Sequence, residues 1–296
     1  MSTPATASRR DWPFEARPLS PALGAELVGI DFTRDIDERL FASIYEAFLD
    51  YQLLLFRGQE VTPARQVQFA RHFGEVQVHV LNQYHADGHP ELYRLSNLDA
   101  EGRPKGQHPD RGTMAWHTDG SWREVTGQAT ILYAEVVPAR GGGTAWCDTY
   151  GAYEGLDDAL KARLDGMHAI HNLDFSRNRR HGEDPMTAAQ RATVPPVEHP
   201  VVTVHPDTGR RAILLGDHAE TIVGMPYDEG RALVEQLNAM IVRPELVYEH
   251  RWQPMDLMVW DNRCTLHKAG SYDVAGDRRV IRRCTVLGGR PRGIAR

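Results

Sequence analysis

The stretch from residue 257 to residue 287 reads LMVWDNRCTLHKAGSYDVAGDRRVIRRCTVL and decides the fold class. It begins with a short apolar run at 257–260 and ends with a second at 280–287, and Gly, Asp and Ser residues lie between them. Short apolar runs bounded by turn residues are typical of β-strands, and many of them in one chain favour a sandwich or a barrel. Similar runs occur earlier in the chain, at 91–95, 129–137, 201–204, 212–215 and 246–252.

Several segments with helical periodicity interrupt these strands. Apolar residues at helical spacing from 40 to 49 predict one helix, and Thr62 followed by Pro63 predicts the start of another. Amphipathic helices are also predicted at 157–164 and 227–241. The predicted fold class is therefore β-rich α+β.

The domain organisation follows from what lies between these elements. Residues 1–16 are rich in Pro, Ala and Ser and lack an apolar run, so we expect a flexible arm there. The rest of the chain shows no internal repeat and no linker, so we expect a single domain over 17–296. A polar, Pro-bounded stretch at 174–196 is long enough to form an excursion or a lid.

The composition excludes several classes of protein. The chain has 296 residues, with 34 Lys and Arg against 40 Asp and Glu, and a formal net charge of −6. A nucleic-acid-binding protein normally concentrates positive charge on one face, so we expect no nucleic-acid partner. No apolar run approaches the roughly 18 residues of a membrane helix, and the N-terminus does not have the pattern of a signal peptide, so we expect a cytoplasmic protein without a membrane partner. Only three cysteines are present, without a C-x-x-C pair, which leaves His and carboxylate groups as candidate metal ligands.

The motif WHTD at 116–119 carries the first candidate metal ligands. His117 and Asp119 lie two positions apart, so both side chains point to one side of an extended segment. Such a triplet alone arises easily by chance, but a second histidine, His267, follows the predicted strand at 257–260. Two histidines and one carboxylate form the facial triad of non-heme Fe(II) oxygenases. The alternatives are a zinc-dependent hydrolase with the same ligands and a binding protein without catalysis.

The segment RRVIRRCTVLG at 278–288 mixes arginine with apolar residues. In a strand, Arg279 and Arg283 share one face and Arg282 lies on the other. Plain surface charge near the C-terminus is the alternative, but the interleaved apolar residues favour burial, and a buried arginine needs a carboxylate or a similar partner. Two arginines on one face are therefore available for two anions.

Two further motifs, GGGT at 141–144 and MVWDNRCTLH at 258–267, complete the pattern. Together the four motifs resemble those of the Fe(II)/2-oxoglutarate-dependent taurine dioxygenase and 2,4-dichlorophenoxyacetate dioxygenase (TauD/TfdA) family, and the resemblance extends from about Arg17 to Gly288. It implies a double-stranded β-helix, or jelly roll, with flanking helices. It also implies an oxidoreductase that uses Fe(II), 2-oxoglutarate and O2.

The resemblance assigns roles to individual residues of the cofactor site. His117, Asp119 and His267 would bind the iron. Thr144 and Arg279 would hold the distal carboxylate of 2-oxoglutarate. A planar guanidinium pairs with a carboxylate through two hydrogen bonds, and a threonine hydroxyl adds a neutral donor, which suits these roles.

The substrate side of the site is less constrained. Arg283 would face the acidic group of the primary substrate, with His79 and His218 as further candidates, although a loop or core histidine is the simpler interpretation of each. Taurine enzymes carry an Asn shortly before the first metal-binding His, where this chain has GTMA at 112–115, so taurine is disfavoured. We expect a small anionic substrate of the aryloxyacetate type, which would give a phenol and glyoxylate, with succinate and CO2 as co-products. A sulfonate or another small carboxylate is the alternative, and a homo-oligomer is expected.

Overall fold

The structure is a computed structural model that describes residues 11–78, 85–86, 88–180 and 186–294. Its strands are β1 (Glu15–Pro18), β2 (Ala25–Val28), β3 (Leu53–Phe56), β4 (His85–Ala86), β5 (His89–Ser96), β6 (Gly127–Val136), β7 (Thr144–Asp148), β8 (His168–His171), β9 (Val197–Pro200), β10 (Val202–Val204), β11 (Arg211–Ile213), β12 (Ala219–Ile222), β13 (Val247–His250), β14 (Leu257–Asp261), β15 (Thr265–Ala269) and β16 (Val280–Leu287). Its α-helices are α1 (Glu38–Tyr51), α2 (Pro63–Phe73), α3 (Thr149–Glu154), α4 (Asp158–Leu164), α5 (Leu173–Phe175), α6 (Ala188–Thr193) and α7 (Tyr227–Ile241). Shorter helical turns lie at Arg111–Met114, Ser176–Arg180 and Pro244–Leu246.

The largest sheet has eight strands in the order β1-β2-β3-β14-β6-β16-β5-β4. Strands β2 and β3 run parallel, and the other neighbours in this sheet pair antiparallel. Helices α1 and α2 cover one face, where they share an apolar core with alternate residues of the strands, such as Leu257 and Val259 of β14. The helix start predicted at Thr62 and Pro63 is confirmed, because the Thr62 hydroxyl accepts a hydrogen bond from the Arg65 amide, and Asp37 caps α1 by accepting one from the Leu40 amide.

The opposite face of the large sheet packs on a second sheet of three strands, β13-β7-β15. Met258 and Trp260, which alternate with the residues of the first core, point into this space. Trp146 of β7 meets Trp260 there, with ring centroids 5.4 Å apart. The alternation of β14 therefore places one core on each side of the large sheet.

A third layer lies beyond β7 and β15. Strands β12, β8 and β9 form a three-stranded sheet, and β10 and β11 pair antiparallel. The turn residues HPDTG at 205–209 join these two strands into a hairpin. Helix α7 packs against β12 and shares an apolar cluster with residues of β7 and β15. The predicted helices at 157–164 and 227–241 correspond to α4 and α7.

The packed chain begins earlier than the expected boundary at residue 17. Trp12 and Phe14 pack against the first core, and strand β1 already begins at Glu15. Burial of two aromatic rings accounts for the earlier start, since each removes a large apolar surface from water. Among the described residues, none of the helices combines the length and the apolar character that a membrane crossing requires.

Candidate active site

Two histidines from distant parts of the sequence meet at the middle of β15. The His117 amide donates to the His267 carbonyl (3.0 Å), and the His267 amide donates to the His117 carbonyl (2.8 Å). This antiparallel bridge sets the two imidazole rings 4.2 Å apart, centroid to centroid. A side chain added at Gly216 would come within 3.2 Å of the His117 Cα, so the absence of a Cβ there permits this close packing.

Asp119 completes a buried three-residue cluster. Its Oδ1 lies 3.9 Å from His117 Nε2, and its Oδ2 lies 3.9 Å from His267 Nε2. One donor atom from each of the three residues falls within 4.8 Å of the others, a spacing that fits a single metal ion. His117 Nδ1 lies 2.8 Å from the Ala115 carbonyl, which fixes the proton on that nitrogen and leaves Nε2 free as a ligand. The structure thus brings together the three residues predicted as a facial triad.

The protonation states of the cluster suit metal binding. Burial, together with the nearby His117, holds the pKa of His267 well below its usual range, so its imidazole is neutral. Burial alone would raise the pKa of Asp119, but the charge of Arg283 and the hydrogen bond from Thr130 hold it below its usual value. A neutral imidazole and an ionised carboxylate are the forms that coordinate a metal.

Asp119 is supported by residues that the sequence analysis did not identify. The Thr130 hydroxyl donates to Asp119 Oδ2 (2.6 Å), and the Asn262 side-chain amide donates to the Thr130 hydroxyl (2.9 Å). The Thr118 hydroxyl donates to the Asn262 carbonyl (2.7 Å), which ties the WHTD segment to the end of β14. The available signal was the Asp-Asn-Arg turn at 261–263, which ends β14 immediately before the strand that carries His267.

Arg279 is a buried cation without an acidic partner. It is only 3% exposed, and no carboxylate in the described part of the chain forms an ion pair with it. Burial lowers its pKa to about 10, because the charged form is separated from water. Its Nε donates to the Gly142 carbonyl (3.3 Å), next to the glycine-rich turn that leads into Thr144. A buried guanidinium of this kind is suited to an anionic ligand.

Thr144 lies at the start of β7, close to this arginine in the fold. Its hydroxyl accepts a hydrogen bond from the indole N–H of Trp252 (2.9 Å), so the hydroxyl proton remains available for an acceptor. Gly142 adopts a positive φ of 65°, and a Cβ there would meet Pro138 at 2.5 Å and Arg279 at 3.5 Å. The glycine-rich turn therefore lets the backbone pass close to the Arg279 side chain.

Arg283 lies directly beside the triad. Its Nη1 is 3.6 Å from Asp119 Oδ1, and its guanidinium lies over the Tyr93 ring at 4.9 Å. Arg282 points to the opposite face of β16, where it meets Gln66 of α2 and Glu135. The predicted alternation along this strand is confirmed for these two arginines, because their partners lie on opposite sides of the large sheet.

The two candidate histidines on the substrate side have different outcomes. The ring of His218 lies 6.2 Å from that of His117, centroid to centroid, and its Nδ1 is 2.9 Å from the Ser176 hydroxyl. It is half-buried, so the structure brings it next to the triad. His79 lies outside the described residues.

A cavity of about 480 Å³ lies near Arg279. Its lining includes His108, Arg111, Met114 and Tyr272, and the ring of Tyr272 is 5.9 Å from the Arg279 guanidinium carbon. No carboxylate occurs among the described residues that line it. The cavity therefore adds positive charge and space next to the unpaired arginine.

A second buried group of candidate metal donors, His205, Asp261 and Cys264, has a structural explanation. Asp261 receives hydrogen bonds from Arg263 on both oxygens and lies 3.0 Å from His205 Nε2. The other ring nitrogen of His205 accepts from the amides of residues 207 and 208. Because these donors are already paired, the group stabilises the turn at 261–264 rather than providing a metal site.

Comparison with known proteins agrees with this geometry. The sequence profile of the "Taurine catabolism dioxygenase TauD, TfdA family" matches residues 15–285. The chain is 34% identical, over 92% of its length and 97% of the relative's, to the alpha-ketoglutarate-dependent 2,4-dichlorophenoxyacetate dioxygenase of Cupriavidus pinatubonensis. It is 33% identical to the (S)-phenoxypropionate/alpha-ketoglutarate-dioxygenase of Sphingobium herbicidovorans, over 90% of this chain and 92% of that one.

A solved structure shows the same overall fold. The crystal structure of AAD-2 in complex with Mn(II) and N-oxalylglycine superposes with a TM-score of 0.84 and 31% sequence identity, over 94% of this chain and 99% of that one. The profile match covers most of the chain, and the sequence relatives align over nearly their full lengths. The chain therefore belongs to the taurine catabolism dioxygenase TauD, TfdA family and is an Fe(II)- and 2-oxoglutarate-dependent dioxygenase.

Proposed function

We propose that this enzyme hydroxylates a small aryloxyalkanoate-type carboxylate at the carbon beside the acid group. The observation that carries the proposal is the position of Arg283, a cation 3.6 Å from the carboxylate of the metal cluster. A substrate acid group held by this arginine would bring its adjacent C–H bond close to the metal. The relatives named for 2,4-dichlorophenoxyacetate and (S)-phenoxypropionate support the same substrate class.

His117, Asp119 and His267 are the proposed iron ligands. The donor set fits Fe(II), because two imidazoles and one carboxylate leave coordination positions for other ligands. His267 Nε2 lies 3.9 Å from Asp119 Oδ2 and would be the ligand atom of this residue, while its buried Nδ1 has no hydrogen-bond partner among the described residues. When bound, the iron supplies the oxidation in which 2-oxoglutarate and O2 give succinate and CO2, and one oxygen atom enters the substrate.

Arg279 and Thr144 are the proposed anchor for the distal carboxylate of 2-oxoglutarate. The guanidinium of Arg279 is buried without an acidic partner, and the hydroxyl proton of Thr144 is available. A dicarboxylate anchored there could reach the triad with its other end. The cavity near Arg279, lined by Arg111 and Tyr272, is the proposed route of entry.

Arg283 and His218 would orient the substrate. A bidentate contact from Arg283 would fix the position of the acid group, and His218 offers a polar ring whose centroid lies 6.2 Å from that of His117. When the hydroxylated carbon carries an ether oxygen, the product is a hemiacetal, which breaks down to a phenol and glyoxylate. Without an ether oxygen, the product is a stable hydroxy acid. Discrimination among apolar substituents should be modest, about 1 to 3 kcal/mol per methylene-sized change.

The finer architecture is also part of the proposal. We infer that the large sheet and the β13-β7-β15 sheet are the two sides of a jelly roll, with the iron site at one mouth. A single catalytic domain accounts for the continuous cores on both sides of the large sheet. A homo-oligomer and a cytoplasmic location stay predictions from the sequence.

A substrate panel tests the proposal. Succinate formation should be measured aerobically with phenoxyacetates, arylpropionates, aliphatic acids, taurine and the methyl ester of a phenoxyacetate. We expect strong stimulation by the phenoxyacetates, with release of a phenol, and none by the neutral ester. A clear preference for taurine or for the ester would contradict the role of Arg283. The absence of any succinate formation with every compound would contradict the substrate class.

A further inference from the structure

The carboxylate of Asp119 is held by a short chain of buried hydrogen bonds. The Thr130 hydroxyl donates to Asp119 Oδ2 at 2.6 Å, and Asn262 Nδ2 donates to the Thr130 hydroxyl at 2.9 Å. Thr130 is fully buried on β6, and Asn262 is 3% exposed at the end of β14. Neither residue is a candidate metal ligand, since a threonine hydroxyl and an amide are weak donors beside two imidazoles and a carboxylate.

The direction of each hydrogen bond is fixed by its neighbours. Asn262 Oδ1 accepts from the Trp260 indole N–H (2.9 Å) and from the Asp119 amide (3.3 Å), so the oxygen of the amide must face these donors. The Asn262 NH2 group therefore faces Thr130 and occupies an acceptor position of the hydroxyl. A hydroxyl has one proton, and that proton is directed to Asp119 Oδ2.

Asn262 also links the backbone of Asp119 to Trp260, whose ring lies beside that of His267. Through its Oδ1 it holds the backbone of Asp119, and through the same atom it holds the indole of Trp260. The Trp260 ring lies 4.7 Å from the His267 ring, centroid to centroid. The Asn262 side chain thus fixes the orientation of Asp119 and, through Trp260, limits the movement of the His267 ring.

We propose that Thr130 and Asn262 are positioning residues that keep Asp119 bound to the metal through a single oxygen. Because Asp119 Oδ2 accepts the hydrogen bond from Thr130, Asp119 Oδ1 would be the atom that coordinates the metal. This inference rests on the proposed triad. A carboxylate that binds through one oxygen limits the protein to three ligand atoms, which leaves three of six positions for 2-oxoglutarate and O2. A carboxylate that bound through both oxygens would occupy one of those positions.

The central experiment replaces Thr130 by Val, which has nearly the same shape, suits a strand and lacks the hydroxyl. We expect Thr130→Val to weaken Mn(II) binding by about 10-fold to 100-fold, in line with other residues that orient metal ligands. We also expect a changed visible spectrum of the Co(II) protein and weaker binding of 2-oxoglutarate to it without oxygen. Thr130→Ser keeps the hydroxyl and should restore all three measurements to near wild-type values.

Thr203→Val is the matched control. Thr203 is also a buried strand threonine, but its hydroxyl donates to a backbone carbonyl (3.4 Å) on the β10–β11 hairpin. It should leave Mn(II) affinity and the Co(II) spectrum unchanged. Thermal unfolding of each variant without metal shows whether a change in binding reflects a general loss of stability.

Asn262→Asp tests the other half of the chain of hydrogen bonds. A carboxylate at this position cannot donate to Thr130, so the hydroxyl proton would turn toward residue 262 and away from Asp119. We expect a loss of metal affinity at least as large as that of Thr130→Val, with reduced turnover. If the Asn262 variant fails to fold, the Thr130 series alone still decides the question.

The outcomes separate this inference from the proposed triad. Asp119→Asn and His267→Ala should each abolish tight Mn(II) binding, and tight binding in both would overturn the triad itself. If the triad variants lose the metal while Thr130→Val matches the wild type in Mn(II) affinity and in Co(II) spectrum, the positioning role is overturned. A Thr130→Ser variant as weak as Thr130→Val would have the same consequence, because the hydroxyl would then not be the cause.

Discussion

Replacement of Arg279 by Met should change ligand affinity and protein stability in opposite directions. The guanidinium is buried and lacks an acidic partner among the described residues, so its charge is costly until an anion binds. Methionine has a similar length and can fill the same space without a charge. We therefore expect Arg279→Met to bind 2-oxoglutarate poorly and to unfold less readily when no co-substrate is present.

The contacts of Arg279 set the expected size of the change in 2-oxoglutarate affinity and of the change in stability. Loss of one partner from a buried charge pair costs about 2 to 5 kcal/mol, which corresponds to a rise of about 30-fold to a few thousand-fold in the Kd of 2-oxoglutarate. Burial lowers the pKa of Arg279 from its usual value to about 10. A base whose pKa falls on folding lowers the free energy of unfolding, and this loss is fully present below the folded pKa. For Arg279 at pH 7 the loss amounts to about 3 kcal/mol. The lost hydrogen bond to the Gly142 carbonyl removes about 1 kcal/mol of that gain.

Urea unfolding of the metal-free protein and oxygen-free titration with 2-oxoglutarate check the two effects separately. Arg282→Met is the matched control, since Arg282 lies on the same strand but faces Gln66 and Glu135. It should lower the free energy of unfolding, because it leaves buried polar partners unpaired, and it should leave the 2-oxoglutarate Kd unchanged. An unchanged Kd in Arg279→Met would refute the anchor, and a loss of stability equal to that of Arg282→Met would refute the charge argument.

Three further predictions concern the metal, the substrate and pH. His267→Ala should lose ferrous binding and turnover together, measured by metal content and succinate formation, and full activity in this variant would contradict its role as a ligand. Arg283→Gln should raise the KM of the acid substrate at least 10-fold while the 2-oxoglutarate Kd changes little; a larger effect on 2-oxoglutarate would exchange the roles of the two arginines. Burial raises the pKa of Asp148 to about 6, so its folded state holds the proton more tightly, and this residue's contribution to the free energy of unfolding should fall by up to about 3 kcal/mol between pH 4 and pH 7. Urea unfolding should show that the wild type loses this much stability relative to Asp148→Asn as the pH rises, and parallel pH profiles of the two proteins would contradict it.

The residues of the proposed metal cluster and the alternation of the arginine strand could be predicted from the sequence because their signals are local. His117 and Asp119 lie two residues apart, and the alternation of β16 assigns Arg282 and Arg283 to opposite faces without any knowledge of their partners. The helix ends were predictable for the same reason, since a cap at Thr62 depends only on the residues beside it. Where a structural feature depends on residues only a few positions apart, periodicity and capping rules are sufficient to predict it.

The support of Asp119 could not be predicted because it depends on the register between distant strands. Thr130 reaches Asn262 only because β6 pairs with β14 so that Thr130 lies opposite Trp260. A shift of one residue would turn Thr130 to the other face of the sheet, and nothing in either segment alone specifies the pairing. The packing of Trp12 and Phe14 is a similar case, since two aromatic residues in a Pro-rich and Ala-rich segment gave no periodic signal.

The charges around the triad support the proposed substrate role of Arg283, although this residue already lies near Asp119. Without a metal, the Arg283 guanidinium offsets the Asp119 charge across 3.6 Å. When Asp119 coordinates a divalent cation, that ion takes over the compensation, and Arg283 is left as a cation that needs an anion. In the proposed site, Arg279 likewise needs an anion, which the distal carboxylate of 2-oxoglutarate would supply. The positive charge of the two arginines and the divalent metal exceeds the negative charge of the single carboxylate. A dicarboxylate co-substrate and a monoanionic substrate together would balance this excess. A substrate without an acid group would therefore leave Arg283 unpaired in a low-dielectric site.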